Sequence, residues 1–130
     1  MVDENMVDEN TVRSIALALP GTSADDLTFE VNGRGFAWPW RERVHPRKAK
    51  VPRRDILVVL TADLDDKEAL LAGEPQICFT EDHYNGYPAV LVRLAVVDDA
   101  RLTELLADAH AAAVAKGPPK PRKRPPHRHA

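Results

Sequence analysis

The residues best equipped for chemistry lie in one short stretch, Phe79 to Pro88, FTEDHYNGYP. It holds an acid pair, a histidine and two tyrosines. Asp82-His83-Tyr84 is where acid–base or metal chemistry would have to sit. A hydrolytic metal site needs two or three His or carboxylate ligands at set spacing, as in H-E-x-x-H. His45, His83 and His110 lie in the body of the chain, 38 and 27 residues apart, too far for a local ligand motif. A nucleophilic triad needs a positioned Ser or Cys. Thr22, Ser23, Thr28 and Thr80 lie near turns without an elbow motif, and Cys78, between Ile77 and Phe79, reads as a small buried hydrophobe. Neither a G-x-x-x-x-G-K-[ST] nor a G-x-G-x-x-G motif is present, and Gly33-Arg34-Gly35 is too short to cradle phosphates alone. No catalytic residue, metal or cofactor is assigned, and the expectation is a protein that is not an enzyme. For His83 the plain reading is a loop residue bonded to backbone, with Tyr84 against the sheet edge. The sharper one is a ligand pocket made by Trp38, Trp40, His83 and Tyr84.

The second candidate chemistry is electrostatic. The net charge is only −2, yet thirteen of the 18 Lys and Arg residues fall in two segments, 41–54 and 116–130. The first carries Arg41, Arg43, Arg47, Lys48, Lys50, Arg53 and Arg54 against one acid, Glu42, and directly follows Trp38 and Trp40. Cations beside aromatic rings suit phosphates and exposed bases. The plain alternative is a solvated loop that pairs with the acidic remainder of the surface, the tryptophans being core or edge packing. The second segment, with Lys120, Arg122, Lys123 and Arg124 among prolines, resembles the basic arms that raise affinity for polyanions without reading sequence. It suits DNA, and equally an acidic protein or RNA. His127 and His129 alternate with Arg128 and have no further ligand types near them.

These residues must be positioned by a fold, and periodicity supplies one. Val12, Ile15, Ala16 and Leu19 mark a helix capped by Thr11 and stopped at Pro20-Gly21. Leu27–Val31 alternates as a strand, Asn32-Gly33 is a hairpin signal, and Gly35–Trp38 returns, limited by Pro39. Residues 41–54, with Pro46 and Pro52, read as a loop. Asp55–Thr61 is a well-covered strand. Asp63 caps a short helix that ends at Gly73. Gln76–Thr80 is a short strand and Pro88–Ala95 a longer one, with Val90, Val92 and Leu94 on one face and Ala89, Leu91 and Arg93 on the other. Asp98 or Asp99 caps a last helix that reaches about Lys116 and buries Leu102, Leu105, Leu106, Ala109 and Ala113. The fold class is therefore α+β: an antiparallel sheet of about five strands with the N- and C-terminal helices packed on one face.

Three parts follow: an acidic leader at 1–10, where MVDEN occurs twice, a domain at 11–116, and a Pro-rich basic tail at 117–130 expected to be disordered. The leader is not a signal peptide, no apolar run approaches a membrane span, and one cysteine forms no internal disulfide. A cytoplasmic monomer is expected.

The blocks ALALPGT (16–22), LTFEVNGRGFAW (27–38), DILVVLTADLDDKEALLAGEP (55–75) and F-T-x-x-H-Y-x-G-Y-P-A-V-L-V-R-L (79–94), with the closing helix, together resemble the MmcQ/YjbR family over about residues 11–116. That resemblance implies a fold likened to the frataxin (CyaY) type and a "double-wing" DNA-binding role, the wings being β-hairpins. The hairpin at Asn32-Gly33 and the turn before Tyr87 are the candidate wings here. It implies no catalytic residues. The other readings are a protein-interaction or small-ligand module and, from the fold comparison alone, metal handling by Asp25, Asp26, Asp63, Asp65, Asp66 and Glu68, positions that read first as caps and turns.

Overall fold

A computed structural model of the chain describes residues 7–42 and 51–118. Helix α1 (Glu9–Leu17) leads into strands β1 (Thr22–Asp25), β2 (Thr28–Val31), β3 (Arg34–Glu42) and β4 (Val51–Leu60). Helix α2 (Leu64–Gly73), strand β5 (Cys78–Phe79), a 3-10 turn (Asp82–Tyr84), strand β6 (Ala89–Arg93) and helix α3 (Asp99–Lys116) complete it. The strands form one antiparallel sheet in the order β1-β2-β3-β4-β6-β5. The α+β class holds, with six strands rather than about five.

The main core lies between one sheet face and the helices. Val90, Val92 and Leu94 point into it from β6 and the residue after it, and Leu57 and Val59 from β4. Leu102, Leu105, Leu106, Ala109 and Ala113 cover them from α3, as the helical period requires. Each fully buried leucine contributes about 1.5–3 kcal/mol. Small residues at 109, 112 and 113 seat the last turns of α3 close to the sheet. Asp98 caps α3, its carboxylate accepting from Arg101 N–H at 2.7 Å, and Asp63 caps α2 through Asp66 N–H at 2.8 Å.

Three expected boundaries move. The first helix begins earlier, with Asp8, not Thr11, as its cap: Asp8 accepts from the Thr11 N–H at 2.8 Å. Val7 is only 2% exposed and its N–H bonds the Leu94 carbonyl at 3.1 Å. Residues 7–10, assigned to the leader, therefore belong to the fold. The second MVDEN copy supplies one buried apolar residue, Val7, the cap Asp8 and the first two residues of α1. Strand β1 carries no strand signal in the sequence. Its sequence, TSAD, has no apolar alternation because three of its four residues face solvent at the sheet edge. At the hairpin, Asn32 and Gly33 both take positive φ, 54° and 79°, the turn that matches strand twist.

The third correction concerns the basic segment. Its ends are not loop. β3 and β4 pair as Trp40↔Arg53, Arg41↔Pro52 and Glu42↔Val51, so Arg41 lies in β3 and Pro52, Arg53 and Arg54 in β4. The ladder slips between Pro39 and Trp40: Leu57 faces Pro39 but Arg53 faces Trp40, leaving three β4 residues unopposed. A proline cannot donate to the ladder, and such a bulge is where one is accommodated. Residues 43–50, with Arg43, Arg47, Lys48 and Lys50, lie outside the described residues, as does the tail from 119 with Lys120, Arg122, Lys123 and Arg124. No helix among the described residues is long and apolar enough to cross a membrane.

Candidate functional site

The second face of the sheet differs from the first. Ile56 and Val58 of β4 and Ala89 and Leu91 of β6 form a small buried floor. Trp38, Trp40, Phe79 and Tyr84 cover it, each half-buried. No residue of the three α-helices belongs to this cluster among the described residues. Strand alternation accounts for it. The residues that β4 and β6 do not give to the helix side must point here, and Trp38 and Trp40, two apart in β3, share the face by the same alternation.

The rings are fixed by specific contacts. Trp38 Nε1 donates to Tyr84 Oη at 3.2 Å. Trp40 meets Phe79 edge-on, centroids 6.0 Å apart. The Arg93 guanidinium lies 4.2 Å from the Phe79 centroid and that of Arg53 5.9 Å from Trp40, so two cations sit on the aromatic layer. Of the four pocket residues named from sequence, Trp38, Trp40 and Tyr84 come together here. His83 is exposed on the 3-10 turn, its backbone N–H bonded to Glu81 Oε1 at 3.2 Å. Phe79 and Arg93 were missed, although the alternation of β6 already placed Arg93 on the Ala89–Leu91 face.

The stretch from Phe79 to Pro88 is a built turn. After the 3-10 residues, Asn85 (φ −62°, ψ 129°) and Gly86 (φ 76°) make a type II turn closed by Tyr87 N–H to the Tyr84 carbonyl at 3.1 Å. Lys67 of α2, 3% exposed, holds it from beneath. Its ammonium donates to the Tyr84 carbonyl and to the Tyr87 carbonyl, the latter at 2.8 Å. Burial lowers the Lys67 pKa. This residue carried no sequence signal, since a lysine amid Asp and Glu on a short helix reads as solvated.

The cations at the base of the ribbon have distinct surroundings. Arg41 is exposed. Arg53 bonds Asp55 through Nε and Nη2, both at 3.0 Å, which lowers the Asp55 pKa. Arg54 grips Glu9 with Nε and Nη2, both at 2.6 Å, and Asp26 with Nη1 at 2.8 Å and Nη2 at 3.1 Å. Those hydrogen bonds hold both carboxyls below their ordinary values and raise the guanidinium. Arg54 thus ties the β4 bulge to the first turn of α1 and to the β1–β2 turn. Between that turn and the ribbon runs an open groove of ≈ 400 Å³ whose walls include Asp26, Leu27, Trp38, Pro39, Arg41 and Arg54. Of the acids considered for metal handling, Asp26 is engaged by Arg54 and Arg13 and Asp63 is a helix cap. Among the described residues no three His, Cys, Asp or Glu side chains are placed to hold a metal ion.

Comparison with known proteins gives relatives without an assigned activity. An uncharacterized protein of Mycobacterium bovis and two of Mycobacterium tuberculosis are each 44% identical over 69 residues, 53% of this chain and 54% of each relative. The chain therefore spans about half the length of the curated relatives it matches. No solved structure matches, so the likening to the frataxin type rests on the resemblance alone. The profile of the family described as YjbR matches residues 17–112, which takes in the sheet, the aromatic face, the clamped turn and most of α3. On that match, the chain belongs to the YjbR family, the MmcQ/YjbR family that its sequence blocks resemble.

Proposed function

We propose that the protein binds DNA through the β3–β4 ribbon, chiefly by contacts to phosphates. The observation that carries this reading is the strand register. Because β3 and β4 pair out to Glu42 and Val51, the segment bearing Arg43, Arg47, Lys48 and Lys50 joins the two strands of a β-hairpin. Arg41, exposed on β3, lies at the base of that connection. On this reading the β3–β4 ribbon is a wing beside the candidates at Asn32-Gly33 and the turn before Tyr87. Arg54, with its donors committed to Glu9 and Asp26, anchors the ribbon. The tail cations, Lys120, Arg122, Lys123 and Arg124, add affinity without sequence preference. Trp38 and Arg41 line one groove with Asp25 and Asp26, and Arg53 and Arg93 lie against Trp40 and Phe79, so basic side chains adjoin the aromatic ones. That favours a polyanion over a separate apolar ligand pocket, the alternative reading.

The test is an anisotropy titration of labelled DNA at two salt concentrations. With about five or six phosphates contacted, log affinity falls against log salt with a slope of roughly −5. Charge reversal at Arg41, Arg47, Lys48 and Lys50 should abolish binding at low salt. Binding that survives the reversal, or no binding at low salt, refutes the reading.

A further inference from the structure

Resting on that reading, we infer that the strand bound is single-stranded DNA, lying across the open aromatic face of the sheet with bases on the tryptophans and phosphates on the flanking arginines. Three observations carry this beyond phosphate contact. First, both tryptophans of the chain are on this face, half-buried over Ile56, Val58, Ala89 and Leu91. A sheet face that exists only to be covered would be closed by a helix or filled with aliphatic side chains. This one is finished by rings whose remaining surface meets solvent. Second, the rings are held in place before any ligand arrives. Tyr84 accepts from Trp38 Nε1, and Phe79 abuts Trp40 edge-on, so little ordering entropy remains to be lost on stacking. Third, two cations lie against the rings of this face: Arg53 beside Trp40 and Arg93 over Phe79.

A duplex does not offer its base faces, whereas a single strand presents both π-faces and backbone charge, and proteins that bind it combine these two elements. Neighbouring strands lie about 4.8 Å apart and residues on one face of a strand about 7 Å apart. That spacing lets successive unstacked bases of an extended strand reach different rings.

The test compares a thymidine oligomer of about 15 nucleotides with a duplex of the same length, read by anisotropy and by intrinsic tryptophan emission of the unmodified full chain. The expected result is tighter binding of the single strand, with emission quenched in parallel with the anisotropy rise. Trp40→Phe and Trp38→Phe should each retain part of the affinity, and Trp38→Ala should lose about fivefold or more in affinity for the oligomer. The circular dichroism melt of each variant separates lost stacking from lost fold. Equal or tighter binding of the duplex with unchanged emission overturns the single-strand inference while leaving phosphate binding by the ribbon standing. Failure of both nucleic acids to bind at low salt overturns the two together.

Discussion

Trp38 and Tyr84, 46 positions apart, are joined by a hydrogen bond from the indole nitrogen to the phenol oxygen at 3.2 Å. One comes from the middle of β3, the other from the 3-10 turn that follows β5. The bond fastens the Phe79–Pro88 turn to the sheet face on which the proposed ligand lies. Tyr84→Phe keeps the ring but removes the acceptor. It should cost about 0.5–1.5 kcal/mol in urea unfolding, with little change in secondary structure. A change within measurement error would show that water replaces the acceptor without penalty.

Lys67 supports the same turn from the helix side. Lys67→Met preserves much of the stem and removes the ammonium, leaving the Tyr84 and Tyr87 carbonyls without that donor. The expected loss is about 1–3 kcal/mol. It should be accompanied by faster amide exchange across residues 82–88, which a uniform loss of stability would not single out.

The Arg54 clamp predicts a particular acid response. Glu9 and Asp26 have folded-state pKa values below their ordinary ones, mainly through hydrogen bonds from Arg54. A carboxylate with a depressed folded value stabilises the fold above its unfolded pKa. That contribution is lost as pH falls through the folded value. The parent should therefore exceed Arg54→Met in stability at neutral pH. The gap should close as pH drops below about 4, the ordinary carboxylate range. A gap that is constant across the titration would show that the stem of Arg54, not its charge, matters.

Cys78 is 1% exposed, and burial pushes its thiol up to about 11. In the native protein it should resist alkylation at neutral pH and become labelled only as the chain unfolds, since the thiolate is the reactive form. Labelling as fast as that of a free thiol would place β5 outside the folded body.

How much of this could be read from the sequence depends on how local each determinant is. Helix α3 and strand β6 announce themselves by period, and the face assignments of Val90, Val92 and Leu94 against Ala89, Leu91 and Arg93 carry over unchanged. The Asn32-Gly33 turn is equally local, because positive φ at two successive positions selects those residues. β1 is illegible because an edge strand needs no apolar face. The strand character of Arg53 and Arg54 is hidden because the β4 bulge breaks alternation, and charged residues beside prolines look like loop. The partners of Arg54 lie 45 and 28 positions away, and no spacing rule reaches that far. The aromatic face was half visible: Trp38, Trp40 and Tyr84 stood out as residue types. Phe79 and Arg93 join them only once β5 and β6 are paired.

The two outer strands of the sheet carry a consequence for the protein in concentrated solution. β1 has four polar or small residues ending at Asp25, and β5 has only two residues, Cys78 and Phe79. An exposed strand edge is a template on which another chain can crystallise, and long, flat, apolar edges seed aggregates. Neither edge here offers such a template. The two outermost strands of the sheet therefore do not invite a second chain to extend it.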